Sequence, residues 1–191
     1  MLFRSVNEIG GPVVLKILSP DIAHKTEAGG VALGLADGQI AAMAAREIEK
    51  RVKAHSPHAK LEGFLVQKME RGLAEVILGY RRDPLVGPTI TVGLGGVLAE
   101  IYKDASTRLA PVSESEALQM IDEVKGLAVI RGYRNLPRGD IGALARAIAQ
   151  FSTLAHAMFT DVAEAEINPL LVKKDAEGVV AVDGLVVLAE S

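Results

Sequence analysis

The chain of 191 residues contains no cysteine and no tryptophan, and only 4% of it is aromatic. Without cysteine there are no disulfides, no thiolate nucleophile and no Cys-ligated zinc. Four phenylalanines and three tyrosines offer few stacking platforms for single-stranded nucleic acid. Neither sign of charge dominates: 21 basic against 24 acidic residues, interspersed, give a net charge of −3, which argues against a polyanion-binding surface. No apolar run approaches membrane-spanning length, and the first residues lack the charged-then-apolar layout of a signal peptide. The expectation is a soluble cytoplasmic protein that binds neither nucleic acid nor membrane.

What is present is a hydrophobic fraction of 49%, enough for a packed core, over a length that suits one large domain or two small lobes. Residues 11–35 hold two short apolar runs, 13–18 and 31–35, separated by a polar segment ending in Gly29-Gly30. Such Val- and Ile-rich runs bounded by Pro and Gly predict strands. Lys16 stands inside the first, where an ammonium is costly unless an anion meets it. The glycine pair allows backbone to approach a ligand closely and turn its N–H groups toward it. A strand lysine facing a glycine loop can hold a polyphosphate. The alternative is a surface hairpin whose Lys16 pairs with a nearby carboxylate.

The rest of the chain alternates helix and strand signals. Val6 and Ile9 share one face of a helical turn before the Gly10-Gly11-Pro12 break. Asp37 caps a predicted helix over 37–55 with Ile40, Ala44, Ile48 and Val52 as its stripe, and Glu47/Arg51 and Glu49/Lys53 on the wet side. His55 and His58 flank the stop at Pro57 and read as solvated. A strand over 61–69 ends in Gln67-Lys68-Met69. Strands over 75–80 and 88–93 are joined through a turn marked by Asp83-Pro84 and Gly87. Gly93-Leu94-Gly95-Gly96 fits neither the dinucleotide fingerprint nor a Walker loop, and reads as a tight turn.

Ser113 and Glu116 form a capping box for a short helix with Leu118 and Ile121 inward. The loop 131–138 holds Arg131, Arg134 and Arg138, either an anion clamp or a solvated basic loop. Asp140 caps what the stripe Ile141, Leu144, Ile148, Phe151, Ala155 and Met158 marks as the longest helix, with His156 packed at its edge. Two strands, 163–173 and 178–188, close the chain. On the first, Glu164, Glu166 and Asn168 alternate onto one face; Asp183 lies in the second within an apolar frame. Acidic groups aligned on one sheet face repel without a cation, and Asp, Glu and Asn oxygens suit Mg²⁺.

Seven pieces in order, VVLK, SPDIAHKTEAGGV, VQKM, GYRRDPLVGP, GLGG, GYRNLPRGD and EINPL followed by VAVDG, cover nearly the whole chain. Together they resemble the ATP-grasp domain of NDP-forming acyl-CoA synthetases. That type occurs in the β subunit of ADP-forming acetyl-CoA synthetase and is fused into related bacterial acyltransferases. The resemblance implies an α/β (α+β) ATP-grasp fold of two lobes with mainly antiparallel sheets and flanking helices, 1–70 and 71–191. The family has a further helix and strand before the first motif, so the N-terminal lobe is expected to be truncated or completed by a partner.

By resemblance, ATP or ADP and Mg²⁺ lie between the lobes, and the residues map one by one. Lys16 and the Gly29-Gly30 loop meet the phosphates. Gln67, Lys68 and Met69 form the adenine hinge, for which an ordinary strand end is the other reading. Glu75 takes the ribose hydroxyls; Asn168 and Asp183, with Glu166 beside them, hold the metal. His24 matches a histidine of a phosphohistidine relay, and neutral imidazole is a competent nucleophile near pH 7. The implied activity is an ADP-forming acid-CoA ligase, dependent on a CoA-binding partner and assembled as an oligomer. The rivals are a regulatory nucleotide-binding module of a fused acetyltransferase and an inert fragment.

Overall fold

A computed structural model of the chain describes residues 2–96, 103–156, 158 and 161–189. The chain divides into two units, Met1–Met69 and Glu70–Ser191, one residue before the expected division at 70/71.

The first unit opens with helix α1 (Leu2–Ile9) and builds a three-stranded antiparallel sheet in the order β2-β1-β3 from β1 (Val13–Leu18), β2 (Val31–Leu35) and β3 (Gly63–Lys68). Helix α2 (Gly38–His55) lies between β2 and β3 in sequence. Val13, Leu15 and Ile17 alternate onto one face of β1, fully buried in a core with Val6, Ile48 and Val52. Each such Leu or Ile withdrawn from water contributes about 1.5–3 kcal/mol. Asp37 caps α2 as expected, its Oδ1 accepting the amides of Gln39 and Ile40 at 2.8 and 2.9 Å.

The α2 stripe differs from the expected one. It runs Ala41, Ala45, Ile48, Val52, and Ile40 is 44% exposed. A strict spacing of four overshoots the helix period by about 40° per step, so three steps carry Ile40 off the buried face. Arg51 turns its Nε to the Glu47 carbonyl rather than to the Glu47 carboxylate.

The second unit is a six-stranded antiparallel sheet. Its central strands are β4 (Ala74–Asp83), β5 (Gly87–Leu94) and β7 (Val162–Val172), flanked by β6 (Ala105–Leu109), β8 (Val179–Ala181) and β9 (Gly184–Leu188). The path is β6-β5-β4-β7-β8, with β9 also paired to β7. Helices α3 (Glu114–Glu123) and α4 (Ile141–Ser152) bury Met120, Ile121, Leu144 and Ile148 against Val76, Leu78, Ile90 and Val92. The β4–β5 turn is fixed by Asp83, whose Oδ1 accepts the amides of Leu85 and Val86 at 2.8 and 3.1 Å.

Several expectations fail here. Leu118 is exposed, because Ala117, Met120, Ile121 and Val124 form the inward face. The helix capped by Asp140 is neither the longest nor continuous to Met158. It ends at Ser152, where the buried Ser152 hydroxyl donates to Ala149 O at 2.6 Å and accepts Val112 N at 2.9 Å. That side-chain bonding competes with the helix ladder; Met158 is 79% exposed and His156 is exposed rather than packed. The last strand breaks into β8 and β9 at Val182-Asp183, opposite Pro169, which has no N–H to donate to a ladder.

No helix among the described residues is long and apolar enough to cross a membrane.

Glu123 of α3 bonds to Ser106 and to Arg108 across to β6, and those bonds hold its carboxyl below the ordinary value. A lowered folded-state value stabilises above the unfolded carboxylate's ~4.3 and is lost as pH falls through the folded one. Urea midpoints measured from about pH 5 downward should therefore fall more steeply for the wild type than for Glu123→Gln. Parallel slopes would remove Glu123 from the acid limb.

Candidate functional site

The candidate residues fall into groups that each lie within one unit. In the first, Lys16 occupies the middle of β1 at 5% exposure, buried rather than on the surface as the hairpin reading places it. It alternates to the face opposite Val13, Leu15 and Ile17. Leu65 pairs with Lys16, and Gln67 with Val14, so Gln67 shares the Lys16 face. The Gln67 Oε1 is buried and has no hydrogen-bond partner. A buried acceptor left empty next to a buried cation marks a place where a ligand's donor fits. Lys68 is exposed opposite Val13, and the Met69 amide donates to Pro12 O at 3.0 Å, so that N–H is committed to the ladder.

The loop from β1 to β2 places His24 in the open and closes on the glycine pair. The Ala28 amide donates to His24 O at 3.3 Å, Gly29 N to Thr26 O at 3.0 Å and Gly30 N to Lys25 O at 2.7 Å. Both glycine amides are thus used inside the loop, and neither is turned outward to cradle a phosphate. Their glycine identity has another cause. Gly29 sits at φ +69°, and a Cβ on Gly30 would stand 2.7 Å from Ile17 Cγ2 and 2.9 Å from Lys25 O. The pair shapes the loop that presents His24; Gly30 O also accepts the Ile17 amide at 2.9 Å, beside Lys16.

In the second unit, Glu75 stands exposed near the start of β4. Its carbonyl accepts Gly95 N at 2.7 Å, and a Cβ on Gly95 would lie 2.9 Å from the Glu75 carbonyl carbon. The glycine cluster after β5 is therefore a close turn around Glu75. Asn168 and Asp183 meet across the β7 edge, the Asn168 amide donating to Asp183 O at 3.1 Å. Glu166 and Asn168 alternate onto one face of β7, with Ala165 buried on the other. Among the described residues no three His, Asp or Glu side chains gather as a metal cluster. The available donors are two carboxylates and one amide. That hard-oxygen set fits Mg²⁺, which keeps several waters and takes phosphate oxygens for the rest, better than it fits a closed structural metal.

The arginine loop does not converge. Arg131 pairs with Asp122 at 2.6 Å and donates to Ile121 O at 3.0 Å, while Arg134 lies 5.2 Å above its neighbour Tyr133. Sequence reasoning missed the Lys173–Glu70 ion pair, 2.7 Å and about three-quarters buried on both sides, which ties the end of β7 to the start of this unit. The two residues are 103 apart, and neither has a local signal.

The ATP-grasp domain family matches residues 2–188. The chain is 39% identical over 95% of its length to the β subunit of acetate–CoA ligase [ADP-forming] I of Pyrococcus furiosus, of which it covers 77%. It is 42% identical to acetate–CoA ligase [ADP-forming] I of Archaeoglobus fulgidus, and spans only 26% of that protein. The chain belongs to the ATP-grasp domain family of ADP-forming acid-CoA ligases. Among solved structures it superposes with a TM-score of 0.90 and 38% identity on a dinucleotide-forming acetyl-coenzyme A synthetase of Candidatus Korarchaeum cryptofilum, bound to coenzyme A, Ca-AMPCP and HgCl⁺; 98% of this chain and 81% of that one are covered. The same enzyme with Mg-AMPPCP has its phosphohistidine segment pointing towards the nucleotide site; there the TM-score is 0.80 at 34% identity, covering 98% of this chain and 81% of that one.

Two substitutions separate loop shape from loop chemistry. Gly30→Ala should destabilise by about 1–3 kcal/mol, as overpacking does. His24→Ala should change stability by no more than about 0.5 kcal/mol, as at most exposed positions. Chemical denaturation measures both; a large loss at His24 would make it structural.

Proposed function

We propose that this chain is the nucleotide-handling part of an ADP-forming acid-CoA ligase and that a separate CoA-binding subunit or domain carries the acyl chemistry. As the nucleotide-handling part of such an enzyme, it works in the cytoplasm and within an oligomer. The observation that carries the reading is the buried Lys16 ammonium on the same sheet face as the empty Gln67 Oε1. A polyphosphate suits the charge of the first and an exocyclic base amine the empty acceptor of the second, and one adenine nucleotide offers both.

Lys16 would neutralise the phosphates and hold them through charge-assisted hydrogen bonds. Gln67 accepts from the base, Met69 and Lys68 flank it, and Glu75 takes ribose hydroxyls as an acceptor. Asn168, Asp183 and Glu166 are the oxygen donors for Mg²⁺, which supplies charge neutralisation at the phosphates. His24 is the phosphoryl carrier. In the ATP-forming direction, an ADP oxygen attacks the phosphorus on the His24 ring nitrogen. The P–N bond breaks, the P–O bond of ATP forms, and the imidazole keeps the electron pair. Gly29 and Gly30 place His24 rather than touching phosphate.

Calorimetry with MgADP should find binding, and Lys16→Ala should weaken it by about 1.5–3 kcal/mol, the range for a charge-assisted bond. Unchanged affinity removes Lys16 from the site. Asp183→Asn and Asn168→Ala should weaken binding only when Mg²⁺ is present; equal affinity with magnesium and with a chelator contradicts the metal assignment. With a CoA-ligase partner, acyl-CoA, ADP and phosphate supplied, His24→Asn should bind nucleotide normally yet make no ATP, because an amide cannot form the phosphoramidate. Wild-type turnover in that variant would exclude the relay through His24.

A further inference from the structure

Arg82 carries a group that the proposed nucleotide chemistry does not use. Along β4, Val76, Leu78 and Tyr80 are buried on the core face, and Arg82 is the next residue in that alternation, opposite Pro88 of β5. Its neighbour Arg81 turns to the other face and pairs with Glu164 at 3.3 Å. Arg108 and Arg131 in the same unit are likewise matched to carboxylates, Glu123 and Asp122. Arg82 differs from these. Its Nε and Nη2 are both buried and neither has a hydrogen-bond partner.

Those two atoms lie on one edge of the guanidinium, with parallel N–H bonds spaced to meet two oxygens of a carboxylate or phosphate. Two residues back on the same strand face, the Tyr80 hydroxyl is also buried without a partner, on a side chain only 2% exposed. A buried hydroxyl without a bond is costly and a guanidinium edge more so, so one such empty group is uncommon and two on one strand face call for a shared acceptor. Three N–H or O–H donors with positive charge select an oxyanion.

We propose that the side-on edge of Arg82 and the Tyr80 hydroxyl form a receptor for a single oxyanion, a carboxylate or a phosphate group. The receptor draws only on β4 and includes none of the residues assigned above to nucleotide, metal or phosphoryl transfer. It therefore stands or falls separately from that function.

The test is the thermal midpoint of the intact chain in sodium acetate or sodium phosphate, against sodium chloride at matched ionic strength. One or both oxyanions should raise the wild-type midpoint by roughly 2–4 °C once about fivefold above the dissociation constant. Acetate as the effective anion identifies a carboxylate receptor, phosphate a phosphate receptor. Arg82→Gln should lose the rise while its anion-free midpoint equals or exceeds that of the wild type, since an empty charged edge has been removed. Arg82→Lys, a point charge without the edge, should lose most of it. Should Arg82→Gln not fold, Tyr80→Phe keeps the ring and removes only the hydroxyl, and should reduce the rise. No wild-type rise over chloride, or a rise of equal size in these variants, overturns the proposal.

Discussion

An ammonium held at 5% exposure in the middle of β1 is the constraint around which the first unit is arranged. Removing a charged group from water is tolerated only where opposite charge or strong acceptors meet it. Lys16 is placed there by the alternation of a six-residue strand whose other face, Val13, Leu15 and Ile17, is fully buried against helices. The strand cannot slip by one residue without driving the ammonium into that core and lifting three apolar side chains out. The core thus fixes where the charge points, and the charge in turn selects what the opposite face can hold.

The polar features of the first unit follow from this placement. Gln67 comes onto the Lys16 face because β3 pairs with β1 in one register from Val13–Lys68 to Leu18–Gly63. His24 is presented by a loop whose end is welded to the same strand by Ile17 and Gly30. In the second unit, a β7 strand carrying Pro169 is what splits its partner and leaves Asp183 at a strand end beside Asn168. Placement of such groups on strands and short, closed loops favours rigid geometry, which suits a reaction catalysed by positioning and charge neutralisation.

Much of the architecture was legible before any coordinates. The caps at Asp37 and Ser113, the hairpin around Asp83 and the alternation on β7 depend on local chemistry, and local chemistry is written in consecutive residues. Two kinds of feature were not. One is the use to which a glycine is put: Gly29-Gly30 signals freedom of backbone, but only the packing of Ile17 and Lys25 against Gly30 shows the close approach that requires it. The other is pairing at long range, as between Glu70 and Lys173, or the missing acceptor at Arg82, which depend on what the fold brings near and what it leaves out. The α2 stripe and the early end of α4 fall between these, since helix phase and a single buried serine override a pattern drawn from apolar spacing alone.

The central claim is that Lys16 is buried in order to meet nucleotide phosphate. A crystal structure of the chain grown with MgADP tests it most directly. The account predicts a phosphate oxygen about 2.7–3.2 Å from Lys16 Nζ and a base amine on Gln67 Oε1 at a similar distance. A bound nucleotide whose phosphates lie away from Lys16, with Gln67 Oε1 still empty, would contradict it.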